Sequence, residues 1–155
     1  MIRVSTRGRY ALRAMVDLAL HAGEGPVLRQ DIAERQEISA DYVAQLFRRL
    51  HAAGLVEGVK GPGGGYQLAH DAATIRTGDV VRAVEGPVAV VHCTLPGPGD
   101  EPSCNRVDRC VTHLLWKRLS AVMTEFLDSV TLRDLCDDAQ QLYREEEPVD
   151  VKSLR

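Results

Sequence analysis

Three cysteines and a histidine crowd one part of the chain: Cys93, Cys104, Cys110 and His113, in the segments VVHCTLPGPGDEPSC and CNRVDRCVTHLLW. Thiolates are the usual ligands of iron-sulfur clusters, and imidazole can replace some of them. Three thiolates and one imidazole equally satisfy tetrahedral zinc. Residue types alone therefore leave zinc, a cluster and a thiol switch open. Five residues separate Cys104 from Cys110, and two separate Cys110 from His113. With a helix beginning near Asp108, Cys110 and His113 lie one turn apart on one face and can address a common centre. Cys93 and Cys104 flank a Pro/Gly-rich loop able to close over that centre. His92 would have to turn its side chain back to join them and ranks below His113. Cys136, in LRDLC, lies outside the spacing and reads as a small core residue.

The compartment bears on this chemistry. Arg3, Arg7, Arg9, Arg13 and Asp17 interrupt the first segment, so it lacks the apolar stretch of a signal peptide. No run approaches the ~20 apolar residues that span a bilayer. The expectation is a cytoplasmic protein without a membrane partner, where thiols stay reduced and clustered cysteines bind metal or sense redox state.

What must position these ligands is a small protein. A chain of 155 residues, 45% hydrophobic and 26% charged, builds one compact core or one small domain with an appendage. The net charge of -3 conceals an asymmetry. Residues 1–70 carry nine Lys and Arg against seven Asp and Glu, and residues 71–155 ten against fifteen. A mildly basic front end and an acidic back end follow.

In the front end, apolar residues at helical spacing predict a helix over Ser5–Ala22, halted by GEGP. A second fits LRQDIAERQ, and a third follows the N-cap residue Ser39 through ADYVAQLFRRLHAA to Gly54. On the third, Val43, Leu46, Phe47 and Leu50 form an inward stripe. Asp41, Gln45 and Arg48 face outward, flanked by Ala44 and Arg49. Two helices joined by a tight connection, the second with such a face, read as a helix-turn-helix. LVEGVK and YQLA then predict a hairpin around GPGGG, the wing of a winged helix. The candidate DNA contacts are Ser39, Asp41, Tyr42, Ala44, Gln45, Arg48 and Arg49, with Lys60, Gly63 and Gly64 of the wing. A phosphate-binding P-loop would need Gly-Lys-Ser/Thr entering a helix, whereas Tyr66 to Leu68 continue as a strand. No G-x-S-x-G, H-E-x-x-H or paired-carboxylate arrangement is present, so a non-enzyme with no small-molecule substrate is expected.

In the back end, TGDVVRAVEG suits a short helix capped by Thr77. A longer amphipathic pattern then runs from Asp108 to Val130, with apolar residues from Val111 through Leu114, Leu115, Leu119, Val122, Met123, Phe126 and Leu127. Such a stripe is expected to pack in part on the first helix and chiefly on its copy in a second subunit, giving a homodimer. Thr131 and Asp134 start a terminal helix. The reading is therefore mainly α with a small β-hairpin wing: a winged helix-turn-helix over 1–75, a ligand loop and long C-terminal dimerisation helix within 76–143, and a flexible acidic tail over 144–155.

With STRGRYALRAM, ISADYVAQLFRRL, GLVEGVKGPGGGY, CVTHLLWKRLS and VDVK, the chain resembles the IscR family of iron-sulfur cluster regulators, within the wider set of related bacterial winged-helix repressors. The resemblance implies a homodimer on a double-stranded DNA operator. It implies a two-iron two-sulfur cluster (2Fe-2S) held by Cys93, Cys104, Cys110 and His113, and control of cluster-assembly genes. Within this frame nitric oxide or redox sensing is the near alternative, and a zinc-stabilised protein-interaction module the distant one. Four features depart from the family pattern: a longer connection between Cys93 and Cys104, Asp41 for a common serine, Ala44 for a common glutamate, and Lys60 for an arginine. Losing a carboxylate at position 44 removes an acceptor for cytosine N4, and lysine lacks the planar fork of arginine.

Overall fold

The computed structural model describes residues 4–146, so the expected tail lies mostly outside the described residues. Its order is α1 (Thr6–Leu20), α2 (Arg29–Gln36), α3 (Ala40–Ala52), β1 (Val56–Val59), β2 (Gly65–Leu68), α4 (Thr77–Glu85), α5 (Val111–Ser129) and α6 (Leu132–Glu146). Short 3-10 turns at His92–Thr94, Pro98–Asp100 and Val107–Arg109 occupy the cysteine region.

Local chemistry explains the front end. Ser5 and Ser39 cap α1 and α3 by accepting the backbone N–H groups of Gly8 and Tyr42. Between α2 and α3 the chain reverses through Glu37, left-handed at φ 55°. Val43, Leu46, Phe47 and Leu50 turn inward against Ala11, Ala14, Met15 and Leu18 of α1, all at most 1% exposed. Each large side chain so buried stabilises the head by roughly 1.5–3 kcal/mol. The strands pair antiparallel in the register Val56 to Leu68 and Val59 to Gly65. A third element goes beyond the expected hairpin: Val27, just before α2, exchanges two 2.8 Å hydrogen bonds with Tyr66. The wing is thereby stitched to the helix-turn-helix, and the Phe47 and Tyr66 rings pack tilted, their centroids 4.3 Å apart.

The back end differs from expectation in three places. Thr77 is not the cap of α4. Arg76 is the cap residue, its N–H received by Asp79 at 3.2 Å, while buried Thr77 donates its hydroxyl to the Leu127 carbonyl at 2.7 Å. Thr77 instead joins α4 to the end of α5. Second, α5 starts at Val111, because Cys110 is extended (φ -99°, ψ 105°) and separates the helix from the 3-10 turn before it. Its 19 residues span about 28 Å at ~1.5 Å per residue. Third, α5 packs chiefly on α4 and the turn carrying Cys93, whereas α1 receives α4 and α6. Leu119, Met123 and Leu127 are half-buried within the chain, while Val111, Leu114, Leu115, Val122 and Phe126 are 53–78% exposed. A capping box of Thr131 and Asp134 starts α6, which buries Leu132 and Cys136. No helix among the described residues is long and apolar enough to cross a membrane.

Candidate nucleic-acid interface and metal centre

The position of α3 depends on a polar pin. Asp17 of α1 is only 3% exposed and accepts two nitrogens of Arg35, at 2.7 and 2.9 Å, and the Gln36 amide at 2.9 Å. Arg13 donates in turn to the Gln36 carbonyl at 2.8 Å. A buried carboxylate needs such partners, and they fasten the last turn of α2 to α1. Because α2 leads straight into α3, the pin also sets the angle at which α3 is presented.

On α3 the structure leaves Asp41, Gln45, Arg48 and Arg49 exposed, with Ser39 exposed at its start. Tyr42 and Ala44 are half-buried. The Tyr42 ring meets Tyr10 edge-on at 6.0 Å, and the Arg13 guanidinium covers Tyr10 at 4.9 Å, so the Tyr42 ring is braced. Two open clefts flank the helix. One, of about 600 Å³, runs between α3 and the wing and gathers Arg29, Arg48, His51 and Lys60. The other, of about 330 Å³, lies toward the start of α1 and sets Thr6 and Arg7 beside Gln45 and Arg49. Cations on both sides of a protruding helix suit a duplex, whose phosphate strands border the groove that the helix fills. Arg7, Arg29 and His51 were not among the expected contacts. Their helical phases mark them only as surface residues; the packing of α1 and α2 brings Arg7 and Arg29 beside α3, and the wing forms a cleft with His51 of α3 itself.

In the wing, Lys60 and Gly63 are exposed, whereas Gly64 is buried. A Cβ at Gly64 would run into the Val59 carbonyl, and one at Gly65 into the Val27 carbonyl. These glycines allow close approach of the chain to itself. Gly63, at φ 74°, forms the turn and faces outward.

The four ligand candidates stand on three elements. Cys93 lies in the turn His92–Thr94, Cys104 follows the Pro/Gly loop, Cys110 is the N-cap residue of α5, and His113 belongs to its first turn. All four cysteines of the chain are free thiols, with Cys93, Cys104 and Cys110 half-buried. His113 donates its backbone N–H to the Cys110 carbonyl at 3.1 Å, so the end of the helix, rather than a shared helix face, relates these two. The Thr112 hydroxyl, 3.2 Å from Cys110 Sγ, and then the His113 backbone N–H hold the Cys110 thiol below its ordinary range. His113 Nδ1 is buried without a hydrogen-bond partner. A buried ring nitrogen left without a partner, three residues along the chain from the free Cys110 thiol, fits the ligand chemistry of a metal centre. Among the described residues, no three His, Cys, Asp or Glu side chains are already gathered about one metal position. Buried Cys136 is the core residue expected of it, its thiol pushed up by desolvation.

A helix-turn-helix closed by a β-hairpin, with a polar cationic helix presented to solvent, defines a winged-helix transcriptional regulator, the class that reads duplex DNA. Residues 4–138 match the model of the Rrf2 family, described as an iron-dependent transcriptional regulator, and the chain belongs to that family. It is 47% identical to the HTH-type transcriptional regulator IscR of Vibrio vulnificus (strain YJ016), over 88% of this chain and 79% of that protein. With the IscR of Pectobacterium atrosepticum the identity is 48%, over 91% and 83%. Among solved structures, T. potens IscR superposes with a TM-score of 0.73 at 38% identity, covering 99% of this chain and 96% of that one. CymR (YrzC), the global cysteine regulator of B. subtilis, does so with 0.69 at 38% identity, covering 88% and 98%. The resemblance read from the sequence therefore holds.

Proposed function

We propose that the chain is a cytoplasmic, homodimeric regulator that binds an operator through α3 and the wing and responds to iron-sulfur supply, controlling cluster-assembly genes. The observation that carries the DNA reading is the cation-lined cleft between α3 and the wing, where Arg29, Arg48 and Lys60 converge. Gln45, exposed at the middle of α3, is suited to hydrogen-bond a base edge, and the cations hold the phosphates. The exposed stripe of Val111, Leu114, Leu115, Val122 and Phe126 supports a second copy of α5 as its cover. Two-fold symmetry then sets two α3 helices about 34 Å apart on a pseudo-palindrome.

Cys93, Cys104, Cys110 and His113 would hold a two-iron two-sulfur cluster. Bound there, the cluster supplies an oxidisable and displaceable iron centre. The chain's own part is to present three sulfurs and the bare Nδ1 of His113, and to seat them beside α5. Because α5 is tied to α4, and α4 packs on α1, the site and the head share one mechanical frame.

The test combines binding and spectroscopy. Affinity for operator duplex should fall steeply as salt rises. Anaerobically prepared protein should carry iron, acid-labile sulfide and a visible charge-transfer band, which Cys93→Ala, Cys104→Ala or Cys110→Ala removes. A colourless zinc protein would overturn the cluster reading, and salt-insensitive binding the DNA reading.

A further inference from the structure

Ten residues separate Cys93 from Cys104, and they fold back on themselves. Pro96 and Pro102 face each other in an antiparallel bridge. The Gly97 N–H donates to the Glu101 carbonyl at 2.8 Å, and a Cβ at Gly97 would press on that same oxygen. Below the bridge the Ser103 hydroxyl donates to the Leu95 carbonyl. The side bearing Cys93 is fastened as well. The Thr94 hydroxyl donates to the Val91 carbonyl at 2.8 Å, and the Leu95 N–H to the His92 carbonyl at 3.0 Å. Just upstream, the Val90 N–H reaches the buried Ser120 hydroxyl of α5 at 3.1 Å.

Residues paired across an antiparallel bridge stand about 5 Å apart at Cα. The connection therefore leaves and returns through one narrow neck, with Cys93 just before it and Cys104 just after. Length along the chain does not measure the separation of these sulfurs. An unconstrained ten-residue connection would lose closure entropy whenever both thiols engaged one centre. A neck already closed has lost that freedom on folding.

We propose that Ser103 is a positioning residue for the thiol pair Cys93 and Cys104. Its hydroxyl, with the Pro96–Pro102 bridge, closes the neck, and the tip over residues 98–100 is an excursion that the pair does not need. The metal-binding part of this proposal rests on the cluster reading above, whereas the closed neck is a property of the apoprotein.

Both parts can be measured on the full chain. In a Cys110→Ser, Cys136→Ala background, dibromobimane, which becomes brightly fluorescent on joining two thiols, reports the proximity of Cys93 and Cys104 without metal. The parent should crosslink readily. Ser103→Ala should slow crosslinking several-fold, and Ser103→Thr should restore it. Replacing residues 98–100 by Asn-Gly, which suits a tight two-residue hairpin turn between Gly97 and Glu101, should leave the rate unchanged. Slow crosslinking in the parent, an unaltered rate in Ser103→Ala, or loss on excising the tip would each overturn the proposal.

In the chain with all its cysteines, cobalt(II) added without oxygen reports thiolate ligation by charge-transfer absorption. Ser103→Ala should weaken cobalt binding about 5-fold, the loss of one hydrogen bond, with the band shape preserved and rescue by Ser103→Thr. Unchanged cobalt affinity in Ser103→Ala would overturn the positioning role. No cobalt-thiolate band in the unaltered chain, with rapid bimane crosslinking in the parent, would overturn the metal reading and leave the closed neck supported.

Discussion

The Arg82 guanidinium meets the Asp128 carboxylate at 2.7 Å, joining α4 to the C-terminal end of α5, and the same nitrogen reaches Asp79 at 2.9 Å. Two backbone-level ties lie beside it: the Thr77 hydroxyl on the Leu127 carbonyl at 2.7 Å, and the Thr77 N–H on the Val130 carbonyl at 2.9 Å. Gly78 lies beneath the ion pair, and a Cβ there would overlap Asp128 Oδ1. The far end of α5 is thus clamped to α4, which packs on α1, while its near end carries Cys110 and His113.

Asp128→Ala should loosen this clamp at modest thermodynamic cost, because Arg82 is 34% and Asp128 27% exposed. A loss of about 1 kcal/mol is expected, or about 2–4 °C in Tm for a chain of this size. Gly78→Ala should cost more, since the added carbon displaces the carboxylate. Thermal unfolding of the two variants and their double mutant checks this, and strict additivity would contradict the contact.

Asp17→Ala removes the acceptor shared by Arg35 and Gln36 at the α1–α2 contact. A loss of about 3 kcal/mol is expected, with weakened operator binding because α3 follows directly from α2. Urea unfolding and a DNA titration report the two effects separately. Full stability in the variant would show that the pin is dispensable.

Arg48→Ala and Lys60→Ala should each lower affinity for any duplex and reduce the salt slope by about 1. Gln45→Ala should alter the preferred operator more than the affinity for nonspecific DNA. Electrophoretic or anisotropy titrations at several salt concentrations distinguish the two patterns. Unaltered binding by all three would remove α3 and the wing from the interface.

The Asp134 carboxyl is held below its ordinary range by the Thr131 backbone N–H and then by the Thr131 hydroxyl. A carboxyl with a depressed folded-state pKa contributes stability that is complete above its unfolded value, about 3.9, and is lost as pH falls through the folded value. Asp134→Asn should therefore be less stable than the parent at neutral pH, with the gap closing on acidification below pH ~4. Urea midpoints measured between neutral and acid pH test this, and a gap that widens on acidification would contradict the cap.

Cys136 is 5% exposed, and burial holds its thiol above the ordinary range. At neutral pH it should resist iodoacetamide in the native chain and react promptly in urea, as peptide mapping by mass spectrometry can follow. Native labelling at the rate of an exposed cysteine would contradict its place on the buried face of α6.

Much of the head was legible in the sequence, because its periodicities are local. Val43, Leu46, Phe47 and Leu50 recur at helical spacing, serines stand at two helix starts, and the glycine run can only be a turn. The second half was less legible where a residue's partner lies far along the chain. Thr77 has the composition of a cap, yet its hydroxyl serves a carbonyl fifty positions away. Cys110 fits a continuous helical pattern, yet its backbone is extended.

By itself the sequence determined the winged helix-turn-helix, the outward face of α3 and the inventory of three thiols and one imidazole, since side-chain type and short-range spacing suffice for these. Tertiary structure alone decided that Arg7 and Arg29 stand beside α3, that Asp17 pins α2, and that the chain between Cys93 and Cys104 closes on itself at a neck. Those relations depend on how separate segments pack and pair their polar groups, and that free-energy balance is set by contacts distant in the chain.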